Sequence, residues 1–336
     1  MPTTNDIFFL GSTDGTLNLP NGNALVPQLN TLDGFSTSNP VIAEFGTPID
    51  QASLTVGSAV RIFEVTKDPA TGAVLSVVRE LTAAEVTAVA TGAEGATLAL
   101  VPNIPLKESA SYLVILTNQI MGTDGLPAES APAYVIVKSA APLTGGDFEA
   151  LEPLRQLVNN MEAIAGTQGI VGESIVLSWS FTTQSITPVL NAVATNAQAE
   201  SMVVVPTGQT TGDIVPNSPG IADVYIGTLD IPYYLEAPSA GNPAAPLTGY
   251  WKGIGGSSLT RFNPSPVSNT TLTVPVMLTV PNNQMMPAAG WPIVMYQHGI
   301  TRVRTDVLVY ADAMAEAGFA VIAIDLPLHG ICLLYT

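Results

Sequence analysis

Two histidines occur in the 336 residues, His298 and His329, and each is followed by glycine. His298-Gly299 ends the apolar run Pro292–Tyr296, and His329-Gly330 follows Asp325-Leu-Pro-Leu at the end of Phe319–Ile324. A His-Gly step after a buried strand suits one chemistry in particular. Glycine lets the backbone approach a reacting group, and backbone N–H groups there can receive the negative oxygen of an acyl transfer. The same step also reads as an ordinary turn whose imidazole bonds a nearby carbonyl. The strand before, the helix after and the second His-Gly at the end of the next strand favour acyl transfer.

The elements that must position these residues are legible around them. Pro292 to Tyr296 fits a buried parallel strand. Asp306 to Ala317 has apolar residues at Val307, Leu308, Tyr310, Ala311, Met314 and Ala315, a helical period with one apolar face, and Gly318 is its stop. Phe319 to Ile324 is a second strand. Strand, helix and strand with short links predict a βαβ unit in a parallel sheet. Only six residues follow Gly330. With no central strand to pair with, residues 291–336 are expected to be the least stable part of the chain.

In the α/β-hydrolase design one oxyanion donor comes from the loop after the third strand, and the catalytic His follows the Ser and the acid in chain order. His329 precedes any possible elbow, so its expected role is structural. No G-x-S-x-G occurs. Ser174 lacks the second glycine and precedes a strand, and Ser257-Ser258 lie in a flexible loop. No Ser/His/acid set can be assembled in hydrolase order. Asp14, Asp124 and Asp213 lie in Gly-containing turns and are read as turn formers rather than calcium ligands. Trp179, Trp251 and Trp291 are read as core or interdomain residues.

Hydrophobic residues make up 47% and charged residues 11%, enough for a large core. Ten Lys and Arg against 27 Asp and Glu give a net charge of -17. That balance argues against nucleic acid, which needs basic patches, and against anionic membranes, so any lipid contact should be apolar. The single cysteine, Cys332, excludes an internal disulfide and a Cys-based zinc site, and two histidines exclude a multi-histidine centre. No cofactor or metal is expected. No apolar run reaches a membrane span. The N-terminus MPTTNDIFFLGSTDG has no basic n-region or apolar h-region, so no signal peptide is expected here.

Upstream, Ile7 to Leu10 reads as a strand and residues 51–140 as a small β-sandwich, with strands at Val60–Val65, Ala73–Val78, Thr97–Val101, Ser111–Thr117 and Ala133–Val137. A helix is expected from near Glu152, with Pro153 in its first turn and Gly166 as its stop. Ser174 to Thr183 completes the sandwich, with Ile175, Leu177, Trp179 and Phe181 on one face. Residues 184–220 read as a linker with one strand at Met202–Val205. Thr271 to Val280 is a strand that Pro275 marks as an edge or a bulge.

The chain resembles the bacterial virulence-factor lipases. The matching pieces are NDIFFLGSTDGTLNLP (5–20), LNTLDGFSTSNPV (29–41), PIDQASL (48–54), VRIFEV (60–65), PLKESASYLVILTNQIMGTDGLP (105–127), GTLDIPYYLEAPS (227–239) and PIVMYQHGITRVRTD (292–306). The segment at Tyr112 with the Asp124-Gly125 turn also looks like bacterial Ig-like domains. The resemblance implies a metal-free carboxylester or lysophospholipid hydrolase with a Ser-His-Asp triad, at the cell surface or outside the cell. Onto this chain it carries Gly299 and Ile300 as oxyanion-loop positions, with His298 beside them.

The fold class expected is therefore mixed: an all-β Ig-like sandwich with an inserted helix over 1–183, a linker over 184–220, and the incomplete first βαβ part of an α/β-hydrolase over 221–336. The export signal is missing and the nucleophile is not reached, so the chain is expected to be an inactive fragment. The intact parent would act on lipid or acyl esters. The competing reading is a non-catalytic Ig-like binding or adhesion module at the cell surface.

Overall fold

The computed structural model describes residues 2, 4–20, 22, 23 and 25–330, so Cys332 lies outside the described residues. The chain is mostly β and splits into two compact units, 1–192 with 259–264 and 193–258 with 265–336.

The first unit carries two antiparallel sheets. The smaller contains β1 (Val41–Glu44), β4 (Val86–Thr91) and β5 (Thr97–Pro102), in the order β1-β5-β4. The larger contains β2 (Val60–Lys67), β3 (Val74–Glu80), β6 (Ser111–Thr117) and β7 (Ile175–Thr182), in the order β3-β2-β6-β7. Val41, Ala88 and Leu98 of the smaller sheet share one core with Ile62, Val114 and Trp179 of the larger. The larger sheet's other face is also covered. The helices Pro132–Lys138 and Glu152–Thr167 set Val137, Val158, Met161 and Ala165 against Phe63, Leu113 and Ile115. Burial on both faces explains why β6 reads as the unbroken run SYLVILT rather than an alternation. Tyr112, Leu113, Val114, Ile115 and Leu116 are all 0% exposed.

Four local expectations are corrected. Ala133–Val137 is helical, not a strand. Its β-branched run favours a strand, but Pro132 fixes the first helical φ and the turn buries Tyr134 and Val137 on one side. The Tyr134 hydroxyl then donates to Glu162 (2.7 Å) and bonds Ser178 (2.7 Å), and burial and the Glu162 charge push its pKa up. Ile7–Leu10 is not a strand either, because Asn5 accepts from the Ile7 N–H and caps the 3-10 turn Asp6–Phe9. The Glu152–Thr167 helix runs through Gly166, and it is Gly169, at φ +76°, that lies beyond its end. A bulge in β7 sets Leu177 opposite Leu116 and Ile175 opposite Thr117. It turns Ile175 to the helix side, away from Trp179 and Phe181.

The second unit is built on one five-stranded sheet. Its strands are β8 (Met202–Thr210), β9 (Ala222–Tyr233), β10 (Thr270–Pro281), β11 (Ile293–Tyr296) and β12 (Ala320–Ile324), in the order β11-β12-β10-β9-β8. β11 and β12 pair in parallel, and the other pairs are antiparallel. Within 184–220 the chain also forms the helix Thr187–Asn196. The βαβ unit is not without a partner, because β12 pairs with β10. β10 itself is interior, not an edge, and shows no register shift at Pro275. The Pro275 carbonyl accepts from the Asp325 N–H (3.1 Å), just past the end of β12. The N–H and C=O of a strand residue face the same neighbour, so the missing donor falls where the β12 ladder stops.

The helix Leu308–Glu316 covers one face of this sheet, with Val307, Leu308 and Met314 over Val224, Met277, Val321 and Ala323. Asp312 also ties the helix down. Its carboxylate accepts from the hydroxyls of Thr211 and Ser218 and from the Ile221 N–H (3.1 Å). β11 is an edge, and its Met295 is 86% exposed.

Candidate functional site

Two loops leave the same end of the parallel pair, 297–303 after β11 and 325–330 after β12. Each contains a tight turn with a non-glycine residue in the left-handed region. The Arg302 N–H donates to the Gly299 carbonyl (3.1 Å), with Thr301 at φ +66°. The His329 N–H donates to the Leu326 carbonyl (3.0 Å), with Leu328 at φ +66° after Pro327. This is the type II pattern, whose third position normally takes glycine. Only four non-glycine residues have positive φ among the described residues, and these loops hold two of them. Such strain costs about 1–3 kcal/mol per residue and persists only where the surroundings hold it.

Two clamps supply that hold. The first is His298, which is 2% exposed. Its Nε2 accepts from the Leu326 N–H (3.0 Å), so the proton sits on Nδ1, which donates to the Gly299 carbonyl (2.9 Å). Both ring nitrogens are therefore used, one in each loop. The second clamp is Asp325, fully buried at the end of β12. It accepts from the Arg304 N–H (2.8 Å) and forms an ion pair with the Arg304 guanidinium. A Cβ on Gly330, at φ +59°, would lie 2.1 Å from Asp325 Oδ2, so only glycine fits there.

The sequence-derived residues fall around these clamps. His329 is half-buried with its ring centroid 5.0 Å from that of His298, and its Nδ1 contacts the Pro327 carbonyl (3.1 Å). Gly299 and Ile300 are exposed, and their N–H groups have no hydrogen-bond partner among the described residues. An added Cβ at Gly299 would meet nothing within 4 Å, so the space before this peptide is open. Arg304 escaped the sequence reading. Arg302 and Arg304 both lie between the two apolar strands, so the sequence by itself does not say which of them meets Asp325.

The other candidates take local roles. Asp14 accepts from the N–H and hydroxyl of Thr16, Asp124 from the Leu126 N–H, and Asp213 completes a capping box with Thr210. The Thr16 hydroxyl is the main cause that lowers the Asp14 pKa. Trp179 is a core residue, whereas Trp251 is exposed and packs on Tyr234. Ser174 donates its hydroxyl to the Val171 carbonyl, a turn bond with no base beside it.

The first unit holds a separate cleft of about 680 Å³. Phe9, Phe262, Lys67, Lys107 and Glu64 line it. Lys67 Nζ is fixed there by Asp6 (2.6 Å) and Ser180 (3.0 Å).

The bacterial virulence factor lipase N-terminal family matches residues 4–213. Comparison with curated proteins gave no match.

Proposed function

Because the chain belongs to the bacterial virulence factor lipase N-terminal family, we propose that it is the leading portion of an exported carboxylester hydrolase. On this reading residues 1–183 are an Ig-like domain and 184–220 a linker. Residues 221–336 begin an α/β-hydrolase domain whose active protein works on lipid or acyl esters outside the cell.

One observation carries the reading: the open pair of N–H groups at Gly299 and Ile300, on a loop strained and pinned at the end of a parallel strand pair. Ligands of open α/β sheets bind at the carboxyl ends of strands. An oxyanion hole needs donors that are unspent and already aimed before the charge develops. His298 spends both nitrogens on the two loops, so its role is to position them. Arg304 and Asp325 hold the same two loops, and His329 packs beside His298 as a structural residue. None of these supplies a nucleophile, so the 336 residues alone are expected not to turn over p-nitrophenyl esters.

The test is made on a protein in which these residues are followed by a G-x-S-x-G elbow and a later acid and His. Reading the coding DNA beyond Thr336 in all three frames locates those elements, and their absence there overturns the hydrolase reading. In the active protein Gly299→Pro removes one donor and is expected to lower kcat about 10²–10³-fold. Undiminished turnover by that variant sinks the oxyanion assignment.

The cleft of the first unit favours a second reading, a surface binding module. That reading expects the isolated first unit to fold and to bind a cell-surface ligand in a manner that Lys67→Ala weakens.

A further inference from the structure

The acidic residues are not spread along the chain. None of the 27 Asp and Glu lies between Glu236 and Asp306, while four of the ten Lys and Arg do. Within this acid-free stretch, residues 237–258 carry a single charge, Lys252. Four large side chains stand out of that loop within eight residues: Leu247 73%, Tyr250 61%, Trp251 41% and Ile254 71% exposed. Exposed apolar groups placed singly are ordinary, but a cluster of this kind marks an interaction site.

The loop is held in shape. The Gly253 N–H donates to the Ser257 carbonyl (2.9 Å) and the Val267 N–H to the Lys252 carbonyl (2.9 Å). Trp251 lies against Tyr234 with ring centroids 4.7 Å apart. A surface already ordered loses little entropy on binding.

We propose that loop 245–256 docks the protein on a zwitterionic lipid surface. Leu247 and Ile254 enter the acyl boundary, Tyr250 and Trp251 sit at the headgroup level, and Lys252 reaches back to the phosphates. Aliphatic side chains bury in hydrocarbon, while aromatic rings with one polar end and the stem of lysine suit the interface. The absence of acid removes the desolvation cost of entry. The net charge of -17 selects against anionic lipid, which repels the body of the molecule at low salt. The inference rests on the ester-hydrolase reading only in taking lipid as the partner.

The test is co-sedimentation of the purified 336-residue chain with vesicles of diether phosphatidylcholine. This lipid has no ester, so docking is read apart from hydrolysis and its failure leaves the hydrolase reading standing. Leu247→Ser with Ile254→Ser is expected to weaken partitioning at least about tenfold, from the apolar area withdrawn. The melting temperature should not change, because both side chains are exposed. Tyr250→Ser is a second, independent variant expected to act in the same direction. Vesicles should shift tryptophan emission to the blue, and Trp251→Phe should abolish that shift. Added diether phosphatidylserine should lower binding at low salt. Failure to sediment with phosphatidylcholine, undiminished binding by the variants, or binding that rises with phosphatidylserine would overturn the proposal.

Discussion

At Gly330 two constraints coincide, a φ of +59° and a carboxylate oxygen 2.1 Å from where a Cβ would stand. Gly330→Ala is expected to cost about 1–3 kcal/mol through the backbone alone, and more if Asp325 is displaced. Asp325→Ala should cost more, about 3–5 kcal/mol, because it leaves the half-buried Arg304 guanidinium without its counter-charge and the Arg304 N–H without its acceptor. Urea unfolding of the two variants gives the order, and a smaller loss for Asp325→Ala would show that Arg304 escapes to water. Asp325 was visible in the sequence as the residue closing a strand. Its partner was not, because Arg304 is separated from it by the whole helix and only the parallel pairing brings the two loops together.

The element that organises the first unit is β6, buried on both faces. Leu113 faces the helices and Val114 the smaller sheet. Leu113→Ala is therefore expected to cost about 2–5 kcal/mol, measured from the denaturant midpoint at constant slope. A second prediction concerns the start of the Glu152–Thr167 helix. The Arg155 side chain, and then the Leu143 N–H, hold the Glu152 carboxyl down at about 2, against an ordinary value of 4.5. A depressed carboxylate pKa adds stability above the unfolded value, which is lost as pH falls through the folded one. Glu152→Gln should thus melt below the wild type at pH 7. The gap should close as the pH drops from about 4.5 towards about 2. A gap that is constant over that range removes the ion pair from the account. The Pro153 start was legible from the sequence, whereas the helical state of Ala133–Val137 was not. There the local preference for strand lost to the burial of Tyr134 and Val137.

The whole molecule carries 27 acidic against ten basic side chains, and like charges at this excess repel in the compact state. Raising salt from about 0.01 M to about 0.15 M shortens the screening length from about 30 Å to about 8 Å. The melting temperature should rise over that interval in calorimetry. A fall would mean that surface pairs such as Arg79 with Glu85 outweigh the repulsion. Among the described residues no helix is long and apolar enough to cross a membrane.

The sequence alone determined the strand-helix-strand unit at 292–324, because periodicity and glycine stops are local properties of the chain. It also determined the position of the His-Gly steps, the absence of a G-x-S-x-G motif and the acid-free stretch. Only the tertiary structure decided what the histidines do. The N–H that His298 Nε2 accepts from belongs to Leu326, in a loop 28 residues away, and no local pattern encodes that distance. The same holds for β10, whose proline marked it as an edge or a bulge in sequence. In the sheet it is interior, because the missing donor falls where its neighbour has already ended.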